Sequence, residues 1–209
     1  MWPLWVGLSA LLAIASDASM LDQRALFLLA KPLTTVLLIA VAWQRGGVPR
    51  FKRMILIGFG LSLLGDIALM FDGGFVAGLA AFLCAHLVFL RAFTLDTPFL
   101  ARLWPFAGYA FIAAMVLVFL WPDLPNGLRP AVTVYVLALA VMAAQAMARW
   151  RLQRDVLAAR AALGALAFVV SDTVLAVNRF HAALPYSGLW VLASYWLALG
   201  LIVAALPRR

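Results

Sequence analysis

The 209-residue chain contains no glutamate, one cysteine (Cys84) and two histidines (His86 and His181), and only 11% of its residues are charged. A single cysteine excludes a disulfide framework and a cysteine-built metal site, and two histidines are too few for a three-histidine zinc centre. The scarcity of charge excludes more. A soluble domain carries about 25% charged and roughly 45–50% apolar residues. Here 67% are hydrophobic and the mean hydropathy is +1.06. Such a chain has no water-compatible surface to present. It reads as an all-α membrane protein, a bundle of eight transmembrane helices forming a single integral membrane domain, residues 1–209.

Eight apolar segments, bounded by charge, Pro, Gly or Trp, supply the spans: Trp2–Ser16, Ala25–Trp43, Met54–Phe71, Gly74–Phe93, Leu103–Trp121, Pro130–Ala148, Arg160–Val177 and Ser187–Leu206. The first is short and has no basic leader, so it reads as an anchor and not a cleaved signal. Helices are required because each satisfies its own backbone hydrogen bonds in lipid. With an even number of spans, one side receives Arg45, Arg50, Lys52, Arg53, Arg91, Arg102, Arg149, Arg151, Arg154, Arg160, Arg208 and Arg209. The other receives Arg24, Arg129 and Arg179, with Asp17, Asp22, Asp72 and Asp123. This bias places both termini in the cytoplasm. The formal charge of +8 is therefore a topology signal and a contact for anionic lipid headgroups, not a nucleic-acid surface. Trp43, Trp104, Trp121 and Trp150 stand near span ends as interfacial anchors. Asp72-Gly73-Gly74 predicts a tight hairpin between the third and fourth spans.

A faint 4+4 parallel repeat is visible. Gly58, Gly65-Asp66 and Leu69 match Gly164, Ser171-Asp172 and Leu175 at a constant offset, and Gly78 and Gly188 open the following spans alike.

Three charged residues lie inside the spans. Asp or Lys at a helix centre costs about 2.5–3.5 kcal/mol on insertion scales, so an intramembrane ion marks function by default. At 1.5 Å rise per residue, Asp66 and Asp172 are each roughly 7–8 Å from the outer end of their spans and Lys31 roughly 9 Å. Three helices thus bring one cation and two acids to one level. Small residues (Gly58, Ser62 and Gly65 near Asp66; Gly164, Ser171 and Ala176 near Asp172) permit close helix packing there. Pro32 beside Lys31 predicts a kink. Thr173, Asn178, Ser194 and Tyr195 are candidates to complete a polar lining. The competing reading is an ion pair that merely ties three helices together. His86, past the midplane, is either a ligand contact or a hydrogen bond to a neighbouring helix. Cys84 reads as a small packing residue, and Arg91 and Gln145 as interfacial.

Two carboxyls beside one lysine need not share a protonation state. One ionised and one protonated Asp give a general acid and a general base without metal or cofactor. That arrangement suits hydrolysis of an acid-labile bond through a cationic transition state, or equally a proton-coupled small-molecule or lipid carrier.

Lys31-Pro32-Leu33, Ser62-Leu63-Leu64-Gly65-Asp66, Gly78…Phe82…Ala85-His86, Ser171-Asp172 and Tyr195…Gly200-Leu201-Ile202 together resemble the YhhN-type lysoplasmalogenase family over essentially the whole chain. One departure is Leu within Tyr195-Trp196-Leu197-Ala198-Leu199, where the family motif has Gln. The resemblance implies a multi-pass protein of a cell membrane, the bacterial inner membrane in particular. It implies cleavage of the vinyl ether of lysoplasmalogens to a fatty aldehyde and a glycerophospho-ethanolamine or -choline. Its partners would then be the lysophospholipid substrate and membrane lipids, with no nucleic acid and no obligate protein partner. Asp66, Asp172 and Lys31 are the expected catalytic residues; Ser62, His86, Ser171, Asn178 and Tyr195 are the expected substrate contacts. Between the acids, Asp66 is preferred as proton donor because Gly65 leaves room beside it.

Overall fold

The computed structural model describes residues 2–17, 21 and 23–208, the side chains of 2 and 3 excepted; Asp22 and Arg209 lie outside the described residues. These residues form α1 (Trp2–Ser16), α2 (Arg24–Gln44), α3 (Pro49–Ala68), α4 (Phe75–Phe93), α5 (Leu103–Leu120), α6 (Arg129–Gln153), α7 (Val156–Ala176), a π-helical turn (Val177–His181) and α8 (Ser187–Ala204), with no strand among them. Local chemistry accounts for several boundaries. Pro49 and Pro130 open α3 and α6, where a missing N–H costs nothing. The Asp155 side chain caps α7 by accepting from the Ala158 N–H at 2.7 Å. Gly73, at φ +79°, turns the chain between α3 and α4.

Three expected boundaries move. The third span begins at Pro49 and not Met54, the sixth runs on to Gln153, and the seventh starts at Val156. In the first two cases the basic residues taken as loop (Arg50, Lys52 and Arg53; Arg149 and Arg151) are helical, because arginine and lysine are good helix formers whose heads reach the interface from the last turns. α2 continues through Pro32.

The extensive pairings are α3 with α4 and α7 with α8, followed by α1–α2, α5–α6, α6–α7, α4–α6 and α2–α3; α8 returns to α1 and α2. The helices α2, α3, α4, α6, α7 and α8 therefore close a ring, with α1 and α5 packed outside it. Its centre is aromatic. Phe59, Phe89, Phe93 and Phe168 are fully buried, and Phe59–Phe89 and Phe168–Tyr195 meet edge-on at 5.8 Å.

The outside is apolar too. Leu29, Leu64, Phe111, Met115, Val118 and Leu197 are all exposed. An apolar exterior around an aromatic core is what a lipid-embedded bundle requires. Among the described residues, six helices are long and apolar enough to cross a membrane: α2, α4, α5, α6, α7 with its π turn, and α8. α1 is apolar but has 15 residues, and α3 has 20 but opens on Arg50, Lys52 and Arg53. Arg129, Lys52 and Arg151 lie over the rings of Trp121, Trp43 and Trp104 near helix ends.

One expectation is overturned and another is sharpened. Cys84 is exposed on the outer face of α4, so it packs against no core. Gln145 is fully buried, and its amide donates to the carbonyls of Phe93, Thr97 and Pro98 at 3.1–3.4 Å. It ties α6 to the loop after α4, where free backbone carbonyls need donors.

Candidate active site

Lys31, Asp66 and Asp172 line one cavity of about 370 Å³. It lies at the end of the ring where α3 turns into α4 and the π turn leads towards α8, with Asp72 and Arg179 also in its wall. The common depth inferred from three separate helices is thus a common site.

Asp66, on α3, is held by two neighbouring helices. The Thr35 hydroxyl of α2 donates to its Oδ2 at 2.7 Å and the Tyr195 hydroxyl of α8 at 2.8 Å. The Trp196 indole N–H donates in turn to Thr35 at 3.4 Å. Lys31 Nζ stands 3.9 Å from Oδ1, an electrostatic contact too long for a direct hydrogen bond. Hydroxyl donation to a charged group contributes about 1.5–3 kcal/mol per bond; both bonds fall on one oxygen, an acceptor that an asparagine at this position retains.

Asp172 has a different setting. The Tyr135 hydroxyl of α6 donates to its Oδ2 at 2.6 Å, and His86 Nε2 lies 3.8 Å from the same oxygen. The Asp172 side chain is 13% exposed against 2% for Asp66, so Asp172 is the more open to the cavity. It also lines a second, apolar cleft of about 60 Å³ between α4, α5, α6 and α7, walled by Leu79, Ile112, Val116, Val136 and Phe180. Leu69, Phe75, Phe82, Leu175 and Asp172 belong to both walls. A polar chamber and an apolar slot therefore meet at one carboxyl.

The remaining expected contacts divide. Tyr195 and Asn178 line the polar cavity, although the Asn178 side chain also accepts from the Leu184 N–H at 2.9 Å and fastens the loop before α8. Ser171 lines it as well, but its hydroxyl donates to the Val191 carbonyl of α8. Ser62 folds back on the Gly58 carbonyl of its own helix, and Ser194 on Trp190. His86 is fully buried behind Asp172, its ring edge-on to Tyr135 and Phe168, with neither nitrogen hydrogen-bonded among the described residues. The space expected beside Gly65 is filled: a Cβ there would stand 2.5 Å from Phe82 Cε2.

Thr35 and Tyr135 were missed by sequence reasoning. A signal existed for both. Thr35 is one turn from Lys31, and Tyr135 stands five residues inside Pro130, at the depth of the two acids. Among the described residues, no three His, Cys, Asp or Glu side chains gather as metal ligands.

Long apolar helices enclosing two carboxyls that face one cavity, each met by a hydroxyl from a neighbouring helix, define a helical multi-pass membrane protein with a polar site among its helices. The chain belongs to the YhhN family, whose model matches residues 26–206. It is 39% identical to the lysoplasmalogenase TMEM86B of Sus scrofa over 143 residues, 68% of this chain and 58% of that one. It is 30% identical to the lysoplasmalogenase TMEM86B of Homo sapiens over 190 residues, 90% of this chain and 78% of the other. A lysoplasmalogenase of Mycobacterium bovis is 32% identical over 156 residues, 68% of this chain and 56% of that protein. The match thus spans less than two thirds of the Sus scrofa and Mycobacterium bovis relatives. No solved structure matches the chain.

Proposed function

We propose that the protein is a lysoplasmalogenase, hydrolysing the vinyl ether of a 1-alkenyl lysophospholipid to a fatty aldehyde and a glycerophospho-ethanolamine or -choline. Relatives that bear that name support it. The observation that carries it is the position of Asp172 where the polar chamber meets the apolar slot. A lysoplasmalogen has its reactive bond at the same kind of junction, between an alkyl chain and a charged head. The chain lies in the slot, the head in the chamber, and the vinyl ether at Asp172.

Asp172 is the proton donor. Its two close contacts fall on Oδ2, which leaves Oδ1 to carry a proton into the cavity. That proton goes to the β-carbon of the vinyl ether, and the resulting oxocarbenium ion is stabilised by Asp66, the ionised acid beside Lys31. Asp66 takes a proton from water as the water adds to the cation, forming a hemiacetal. Collapse returns the hemiacetal proton to Asp172, while Asp66 hands its proton to the departing glycerol oxygen. Water is consumed and both acids are restored. The assignment reverses the expectation for Asp66, whose neighbouring space Phe82 occupies.

The eight helices cross as one domain with both termini cytoplasmic, so the chamber faces the outer leaflet of the cell membrane. The test is aldehyde release from lysoplasmenylcholine by purified protein in detergent. Wild type should turn over; Asp66→Asn and Asp172→Asn should each lose at least about 100-fold while melting within a few degrees of it. If either variant unfolds the bundle, the acids are structural. If well-folded wild type releases nothing but drives proton-coupled flux in sealed vesicles, the site is a carrier's.

A further inference from the structure

The mechanism uses Lys31 but leaves a second cation of the cavity wall, Arg179, without a task. Lys31 is committed, facing Asp66 at 3.9 Å with Asp17 as a further acidic neighbour. Arg179 is not: among the described residues no carboxylate stands within ion-pair distance of its guanidinium. Instead it lies over the ring of Phe75, 5.2 Å from the centroid, and Phe75 is itself buttressed edge-on by Phe180. A guanidinium stacked on a ring keeps its edge N–H groups free, and that fork is the preferred partner of a phosphate. Its place on the backbone is unusual too. α7 widens into a π turn over Val177–His181, a rare conformation that is frequent at functional sites.

We infer that Arg179 forms the phosphate subsite of this cavity and makes the protein selective for phosphate-bearing ether lipids over neutral ones. The inference rests on the lysophospholipid reading above. Spacing supports it. Arg179 is seven residues beyond Asp172, about 10 Å along a helix axis. Helical side chains lean back towards the N-terminus, and the long arginine stem recovers roughly half of that rise. The remaining gap is of the order of the five bonds between the ether oxygen and phosphorus of a glycerophospholipid, about 6 Å at roughly 1.5 Å per bond with normal angles. Asp72 lines the same cavity, so its wall offers an anion as well as a cation, the charge pattern of a zwitterionic head.

Saturated ethers test this without turnover, since they have no double bond to protonate. Thermal stabilisation of purified protein in detergent would be titrated with 1-O-alkyl-glycerophosphocholine and with 1-O-alkylglycerol. Wild type should bind the phospholipid at least about tenfold more tightly than the neutral glycerol ether. Arg179→Gln should lose that preference with affinity for the glycerol ether unchanged, and Arg179→Lys should retain part of it. A wild type with no preference, or a variant that weakens both ligands equally or neither, overturns the subsite. Aldehyde release from the corresponding alkenyl lipids is measured alongside. No aldehyde with Arg179-dependent binding intact would sink the hydrolase and leave the subsite standing.

Discussion

Asp66 and Asp172 share a residue type and a cavity but differ in what surrounds them. Asp66 receives two hydroxyls and faces a lysine; Asp172 receives one hydroxyl, borders a histidine and touches apolar wall. The division of labour proposed for them follows from those neighbours and not from the spans that carry them. Both acids and Lys31 were legible in the sequence because a charge in an apolar run is costly and therefore conspicuous. Thr35 and Tyr135 were not, since a hydroxyl inserts cheaply and its partner is named only by the fold. A third acid works outside the spans. Asp96, in the loop after α4, accepts a two-pronged bond from Arg149 at 2.7–3.1 Å. Partial burial disfavours its charge, but Arg149, Gln153 and Thr97 outweigh that and hold the carboxyl below its ordinary value of 3.8. A depressed folded-state value means stability that is complete above the ordinary value and lost as pH falls below it. Melting in detergent should therefore drop below about pH 4, with part of that dependence missing in Asp96→Asn; an identical profile in the variant would remove Asp96 from the account.

Helix contacts are set by glycines whose roles the sequence indicated only in part. Gly58 and Gly164, paired by the faint repeat, each face the following helix: Phe89 of α4 in one case, Ala198 and Ile202 of α8 in the other. At Gly164 a Cβ would stand 2.9 Å from the Ala198 carbonyl oxygen, and backbone cannot step aside as a ring can. Gly200, on the partner helix, has nothing within 4 Å. Gly164→Ala should thus destabilise by about 1–3 kcal/mol, read as a lower melting temperature in detergent, while Gly200→Ala is neutral or stabilising. Equal shifts would show that α7 and α8 do not pack this closely. Helix ends were less legible. Basic residues near α3 and α6 read as loop from charge alone, yet they prolong the helices, because an arginine can be helical and still reach water.

The ring of six helices around an aromatic centre accounts for a molecule apolar both inside and out. Its orientation is testable through the lone cysteine. In a Cys84→Ser background, Gly127→Cys, in the open α5–α6 loop, should react with membrane-impermeant maleimide on intact cells, and Arg102→Cys only after permeabilisation. The reverse pattern would turn the chamber to the cytoplasmic face. The amino-acid sequence by itself determined the class of molecule, its helical segments and the common depth of its three intramembrane charges. Hydropathy, backbone satisfaction in lipid and the axial rise of a helix depend on local composition alone. Only the tertiary structure decided which hydroxyl meets which acid, that Gln145 is buried and Cys84 exposed, and that chamber and slot join at Asp172. Those depend on which faces of distant helices are turned together, and burial on a helix face is settled by the neighbour that covers it.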